Sequence, residues 1–381
     1  MHATPILRLA AELSESLVQS ALRPRIPANM KQLISELIGG VQLHKPGRFV
    51  IVEKPYGISC FGYKQQGGGV FPSSRYDEKG VFGDEENEEH RLDEMSTLPN
   101  SLTLASAVPF LAEYFREPTL TLCVGLKRYV SGPVVLPSNQ VEYKNIVRSL
   151  RLSVSSQDRE NGLHRALAIC VGQPPQSDGL ISGYVTLKDI RDHAEYIFVE
   201  GKIPKRRART GKFAVYGEMY YRVLDYKYGC SLLDLSFSKF ARHLPRLMLT
   251  NLLCPILGDP LYMKRVAVVD SQPVLLPPER AHRSHPNFSG LSLLKERLMI
   301  RNASLYRMPL YFHVYKSVFR NFGRSNTGSR VDLVSTAAIP DHVLAMLECL
   351  KLSKAAKHHI MQSDVVFDDE EAVRFSGETK F

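Results

Sequence analysis

The sequence predicts an α+β fold built on a largely antiparallel sheet. Three observations carry that reading. Between residues 165 and 237 six short apolar runs, RALAICV, LISGYVTL, EYIFVE, KFAVYG, YYRVLDY and SLLDLSF, follow one another with turns between them, a spacing that belongs to antiparallel strands. Residues 139–152 place Tyr143, Ile146, Val147 and Leu150 at i, i+3, i+4 and i+7, the stripe of an amphipathic helix expected to face the core. Helical character returns at 240–253, before the turn ILGDPLY.

In chain order, the first 45 residues read as a leader. MHATPILRLAAELSESLVQSALRPRI carries Arg8, Arg23 and Arg25 and three serines on a leucine-rich pattern, the composition of a mitochondrial presequence. Glu12 and Glu15 argue instead for a short surface helix, and both readings stay open. RFVIVE at 48–53 is a buried strand closed by the turn Lys54-Pro55-Tyr56-Gly57. Residues 64–101 lose periodicity and hold a glycine run and the acidic cluster DEENEEH, which reads as a disordered insertion. A helical pattern starts at Leu102, with an interruption expected at Pro109. Strands are expected at 120–124 and 133–136. Beyond residue 270 a Pro-rich connector opens a C-terminal α+β extension over 271–381, with a helix carrying Val343, Met346, Leu347 and Leu350 on one face.

Composition limits the function classes. The 381 residues are 44% hydrophobic and 23% charged, enough apolar material for a large core. No stretch approaches the roughly 18 uninterrupted apolar residues of a spanning helix. Lys and Arg exceed Asp and Glu by 49 − 39 = +10, an excess that suits a polyanion, nucleic acid first. The six cysteines form no C-x-x-C pair and several lie in apolar runs; buried reduced thiols are expected. His282 and His285 have no Cys or acidic companions at ligand spacing, so no metal site is indicated. Gly67–Gly69 does not lie between a strand and a helix, and is no phosphate loop.

Four blocks, in order, resemble the RluA-type pseudouridine synthases: FVIVEKPYGI at 49–58, VGLKRYVSGPVVL at 124–136, RALAICVGQPPQSDGLI at 165–181, and SLLDLSF…HLPRLMLTNLLCPILGDPLY at 231–262. PILGDPLY is the most specific piece, and the whole covers about 46–265. The resemblance implies the pseudouridine-synthase fold, a mixed and mainly antiparallel curved sheet with flanking helices, over 46–270. It implies isomerisation of uridine to pseudouridine in RNA without a cofactor. The LCPILGD wording and the lysine in the second block look most like a mitochondrial member. That adds mitochondrial messenger or ribosomal RNA as partner and the matrix as location.

In that family a carboxylate attacks the target uridine, and the base is flipped from its stack into a pocket. The chain departs from the pattern at its centre. Lys127 occupies the position of the catalytic aspartate, Ala166 that of a tyrosine and Ala241 that of an arginine, while His243 and Arg246 are kept. A lysine side chain ordinarily titrates at about pH 10.4 and is a cation at pH 7. A rival string, His90-Arg91-Leu92-Asp93, lies in the insertion, 93 − 54 = 39 residues after Lys54, but neither SG nor an apolar strand follows it. Asp93 therefore reads as a solvated loop residue, and becomes a rival nucleophile if the insertion folds over the cleft. Lys54, His243 and the segment GKIPKRRARTGK, with Lys205, Arg206, Arg207, Arg209 and Lys212, are the expected RNA contacts, each cation able to meet a phosphate. Tyr184, Tyr216, Tyr220 and Tyr221 could stack bases or fill the core. The substitutions leave two functions open, a synthase with a rearranged site and an inactive RNA-binding homologue serving mitochondrial RNA or ribosome assembly.

Overall fold

A computed structural model describes residues 13–61, 102–155, 162–190, 193–203, 214–270, 272–281, 291–305, 307–324 and 330–365. Asp93, the basic residues 205–212 and the first twelve residues lie outside them.

The amino-terminal segment is folded from residue 15 onward. Helix α1 (Glu15–Leu22) is capped by the Ser14 hydroxyl and buries Ala21 completely. Helix α2 (Met30–Gly39), capped by Asn29, buries Leu33 and Leu37. Asn and Ser side chains accept the amide protons that the first helical turn leaves over, which is why these helices start where they do. Strands β1 (Val41–Lys45) and β2 (Phe49–Lys54) form a hairpin. Its turn has Pro46 at the second position and Gly47 at φ +69° at the third, with the Arg48 amide bonded to the Lys45 carbonyl. Only glycine takes that third position without strain.

Helix α3 (Leu104–Phe115) runs unbroken through Pro109. The expected interruption does not occur because a Thr103–Ser106 capping box fixes the start, and Leu104, Ala107, Val108 and Leu111 are buried along one face. That packing outweighs the one hydrogen bond the proline forfeits. Residues 120–124 are not a strand. Their link to β3 (Gly132–Pro137) is a single backbone bond, Thr121 to Pro137, so no ladder forms. Helix α4 (Gln140–Ser155) is present where expected but rotated: Glu142, Ile146, Ser149 and Ser153 are buried, and Tyr143, Val147 and Leu150 are half-exposed.

Strands β4 (His164–Val171), β5 (Asp178–Ile190), β6 (His193–Glu200), β7 (Ala214–Lys227) and β8 (Cys230–Phe237) follow the predicted order, two of the predicted strands merging into β7. The β7–β8 turn is Tyr228-Gly229, both at positive φ, the two-residue geometry that matches strand twist. After helix α5 (Leu244–Asn251) comes a small hairpin, β9 (Val266–Val269) and β10 (Gln272–Leu275). Helix α6 (Ser292–Leu298), strands β11 (Phe312–Arg324) and β12 (Arg330–Thr336), and helices α7 (Asp341–Cys349) and α8 (Ser353–Val365) complete the described chain.

Among the described residues the large sheet has seven strands in the order β12-β11-β4-β8-β7-β5-β6, and a three-stranded sheet runs β1-β2-β3. Every ladder there is antiparallel; parallel pairing is confined to isolated bridges such as Ser131–His313, which joins the two sheets. All eight residues of β8 are buried. On one face Leu233, Leu235 and Phe237 meet Ala166, Ala168, Phe312 and Val314; on the other Leu232 meets Leu167 and Ile169 under α1, α6 and α7. A strand covered on both faces needs a continuous apolar run, and SLLDLSF nearly is one. The C-terminal segment thus supplies two strands to the same sheet as the middle of the chain.

Candidate functional site

The second sequence block forms a loop, Val124–Ser131, before β3. Lys54, at the end of β2, is 1% exposed and donates to the carbonyls of Pro55, Arg128 and Val130 at 3.0, 3.1 and 2.8 Å. An ammonium has three protons to give, and here all three have an acceptor inside the chain. Lys54 was expected to contact RNA. The structure gives it a different task, strapping the loop that holds Lys127. Arg128 and Gly57 close the strap: the Gly57 amide donates to the Arg128 carbonyl at 3.0 Å, and the Arg128 side chain donates from Nε to the Gly57 carbonyl at 3.2 Å. Gly57 sits at φ +80° with Ile26 2.9 Å from where a Cβ would be, so the KPYG turn admits no side chain there. Lys127 itself is 4% exposed, and the Val130 amide donates to its carbonyl.

The far side of the loop is held by β11. Ser131 Oγ lies 2.9 Å from His313 Nδ1, the Val314 amide donates to the Ser131 carbonyl, and a Cβ on Gly132 would meet the Val314 carbonyl at 2.5 Å. His313 Nε2 faces the Ala337 carbonyl at 3.4 Å. A carbonyl only accepts, so Nε2 carries the proton and Nδ1 accepts from the serine hydroxyl. Burial pushes the His313 imidazole down to about 4, and that of its neighbour His342 down to about 3. Both are neutral in the folded protein at pH 7.

The fourth block makes the second half of the site. Arg246 is paired in fork geometry with Asp259, Nε to Oδ2 and one terminal nitrogen to Oδ1, both at 2.8 Å. Asp259 Oδ1 also accepts from the Leu261 and Tyr262 amides at 2.9 Å. Both oxygens of this carboxylate are therefore committed, and it is not a free nucleophile. His243 Nδ1 lies 2.7 Å from Tyr262 Oη. Arg246 lies 13 residues before Asp259 and His243 19 before Tyr262, and they are brought together because α5 starts at Leu244 and packs its first turn on the GDPLY turn.

Between Phe240 and Leu244 the backbone is strained. Arg242 (φ +51°, ψ +45°) and His243 (φ +57°, ψ +23°) are consecutive left-handed residues without a glycine, at a cost of about 1–2 kcal/mol each. The result sets the Arg242 guanidinium 5.9 Å from the Tyr196 ring, with the His243 ring 6.1 Å from the same tyrosine. Such strain is maintained where it has a use. Ala166 and Ala241, which stand where the resemblance places a tyrosine and an arginine, are both buried.

One segment touches both halves. The Leu310 amide donates to Tyr56 Oη at 3.0 Å in the KPYG turn. Close by in the same segment, the Tyr311 amide donates to the Leu257 carbonyl, and the Pro309 carbonyl fills the space a Cβ on Gly258 would need. His313, Asp259, Arg242 and Tyr196 were not singled out from sequence. The PILGDPLY motif could have given Asp259; nothing local marks the others. Among the described residues no group of three His, Cys, Asp or Glu is placed to hold a metal ion, and no helix is long and apolar enough to cross a membrane.

No family model matches the chain. Over 259 residues it is 27% identical to the Homo sapiens protein named mitochondrial mRNA pseudouridine synthase RPUSD3, covering 67% of this chain and 70% of that one. The Mus musculus protein of the same name is 25% identical over 260 residues, covering 67% and 72%. Among solved structures, human RNA pseudouridylate synthase domain containing 4 superposes with a TM-score of 0.54 at 17% identity, over 84% of this chain and 97% of that one. The fold is that of a pseudouridine synthase, as the four sequence blocks imply, and the chain is similar to pseudouridine synthases named mitochondrial.

Proposed function

We propose that the protein is an RNA pseudouridine synthase homologue that isomerises uridine in mitochondrial RNA within the matrix. What supports this most directly is a loop, equivalent in sequence to the family's catalytic segment, that is held by Lys54 on one side and by β11 on the other. Rigid support of this kind is what a site needs if reacting groups are to stay in place. The reaction balances without a co-reactant: the bond from C1′ to N1 breaks, a bond from C1′ to C5 forms, and the proton lost at C5 is replaced at N1. The flipped base needs a pocket and its phosphates need cations; Arg242 with Tyr196, and the basic segment with Lys205, Arg206, Arg207, Arg209 and Lys212, suit those needs.

The carboxylate must come from outside the aligned position, because Lys127 holds it and Asp259 is committed to Arg246. Asp93 is the candidate. A second reading is favoured by Lys127 itself, since a buried cation in that loop suits grip on an anion better than attack on a sugar carbon. In that reading the protein is an inactive RNA-binding homologue serving mitochondrial RNA or ribosome assembly. Pseudouridine formation on mitochondrial RNA by the purified protein separates them, with wild type beside Asp93→Ala and Lys127→Ala. Product from wild type that vanishes in Asp93→Ala supports the synthase and its nucleophile. Salt-sensitive RNA binding with no product supports the second reading.

A further inference from the structure

Helix α1 and the link that follows it reach both sides of the site. The helix ends because Arg23 precedes Pro24, and a residue before proline is pushed out of the helical region; Arg23 sits at φ −122°, ψ +86°. An ending helix leaves its last carbonyls without helical partners. That of Ala21 is taken by the Tyr311 hydroxyl at 2.9 Å, and both residues are fully buried. Burial pushes the Tyr311 phenol well above its ordinary value, so it keeps its proton and donates. Tyr311 also gives its amide to the Leu257 carbonyl and takes the Ile169 amide on its own carbonyl. The neighbouring Leu310 amide holds Tyr56 Oη at 3.0 Å in the KPYG turn. The His342 ring lies against both tyrosines, 4.7 Å from Tyr56 and 6.0 Å from Tyr311.

A second contact reaches the same turn by another route. Three side-chain carbons of Ile26 lie 2.9, 3.1 and 3.1 Å from where a Cβ on Gly57 would be, and Pro27 beside Ile26 is buried. The room that Gly57 leaves is thus filled from the amino-terminal segment. Leu13 before α1, and Leu17, Val18 and Leu22 within it, pack against the core that holds Val343, Met346 and Leu347 of α7. Removing this stretch would leave a buried phenol proton without its acceptor, an apolar face of α7 uncovered and a void beside Gly57. Tolerance to truncation follows the burial and hydrogen bonding of the backbone that is lost.

We infer that residues 13–27 are a permanent part of the protein that positions the site, and that processing on entry to mitochondria removes nothing beyond residue 12. Ala21 and Ile26 are the positioning residues, one acting through Tyr311 and Leu310, the other through Gly57. Only the processing half of the inference rests on the mitochondrial reading. The arginines of the amino-terminal segment divide accordingly. Arg8 lies before the retained stretch; Arg23 and Arg25 lie inside it, with Arg25 Nε 3.3 Å from a Glu36 oxygen in α2.

Two experiments test it. In the first, the full chain is imported into isolated mitochondria and the amino terminus of the protease-protected product is read by mass spectrometry. A terminus at or before Leu13 is expected. A terminus beyond Leu13 overturns the inference alone, and absence of import overturns the mitochondrial reading and the processing half with it. The positioning half is read on the purified protein by amide hydrogen exchange. Deletion of residues 1–12 should leave exchange at Gly57 and Leu310 unchanged. Ile26→Ala is expected to speed exchange of the Gly57 amide, which is bonded to the Arg128 carbonyl, by about tenfold. Tyr311→Phe is expected to speed that of the Leu310 amide by about fivefold. In both variants the amides of β5 should exchange as in wild type. Point variants carry this test because a failure to fold on deletion of residues 1–27 would not locate the effect. Unchanged exchange at Gly57 and Leu310, or a uniform rise that includes β5, overturns the positioning role.

Discussion

Lys54 and Arg246 are buried in the two halves of the site, and they are held in opposite ways. Lys54 gives its protons to three main-chain carbonyls, two of them more than seventy residues away. Arg246 gives two of its protons to a side chain, Asp259, which in turn orders two amides of its own turn. In the first arrangement a side chain shapes a loop directly. In the second, an ion pair shapes a turn through its anion. The difference teaches which contacts can be replaced: a carboxylate and a guanidinium can be exchanged together for apolar groups, whereas carbonyl oxygens of the main chain cannot be mutated away.

The largest effect should follow from breaking the pair on one side. Asp259→Ala leaves Arg246 buried without its carboxylate and frees two amides, and should cost about 3–5 kcal/mol of unfolding free energy in denaturant melts. Arg246→Met/Asp259→Leu removes both charges and should recover most of that loss, because a buried pair replaced as a unit is often close to neutral. If the double variant is no more stable than the single one, the turn depends on the carboxylate itself and the comparison needs revision. Lys54→Met should cost about 2–3 kcal/mol, reflecting lost hydrogen bonds to a charged donor, and no second substitution in residues 55–130 should restore it. Loop disorder in that variant should appear as faster amide exchange at Arg128–Val130.

The smallest effect sharpens the first half. His313, pushed down to about 4 by burial, stays neutral in the folded state, while an unfolded imidazole titrates at about 6.5. Between those values the unfolded chain binds the extra proton, so the contribution is present above pH 6.5 and lost as pH falls. From pH 6.5 to 5.5 the wild type should lose about 1 kcal/mol more stability than His313→Gln. Parallel pH profiles for the two would mean that His313 takes up its proton in the folded protein at the same pH as in the unfolded chain.

Much of this architecture was legible in the sequence, for reasons visible in particular residues. Strands β4 to β8 were readable because period-two patterning and turn residues agree there, Tyr228-Gly229 being the clearest case. The helix at Gln140–Ser155 was found but its rotation was not, because period alone assigns Tyr143 and Val147 inward and cannot foresee that Arg48 and the Arg320 carbonyl satisfy Glu142 and Ser149. Residues 1–45 read as a leader, while Ala21 within them accepts the Tyr311 hydroxyl proton at its carbonyl, a contact across 290 residues. Of the expected site residues, His243 and Arg246 were named through their motif, and they are joined to its closing turn, Arg246 through Asp259 and His243 through Tyr262. His313 and Arg242 were missed: one acts from a strand 182 residues beyond its serine, and the other owes its position to a left-handed backbone that no glycine announces. Asp93, Lys205, Arg206, Arg207, Arg209 and Lys212 lie outside the described residues.

The most direct test of where RNA sits is ultraviolet cross-linking of the full chain to mitochondrial RNA, with adducts mapped by peptide. The proposed site predicts adducts on the loop Lys127–Val130 and on Tyr196 and His243. Adducts confined to α7 and α8, on the opposite side of the large sheet, would contradict it.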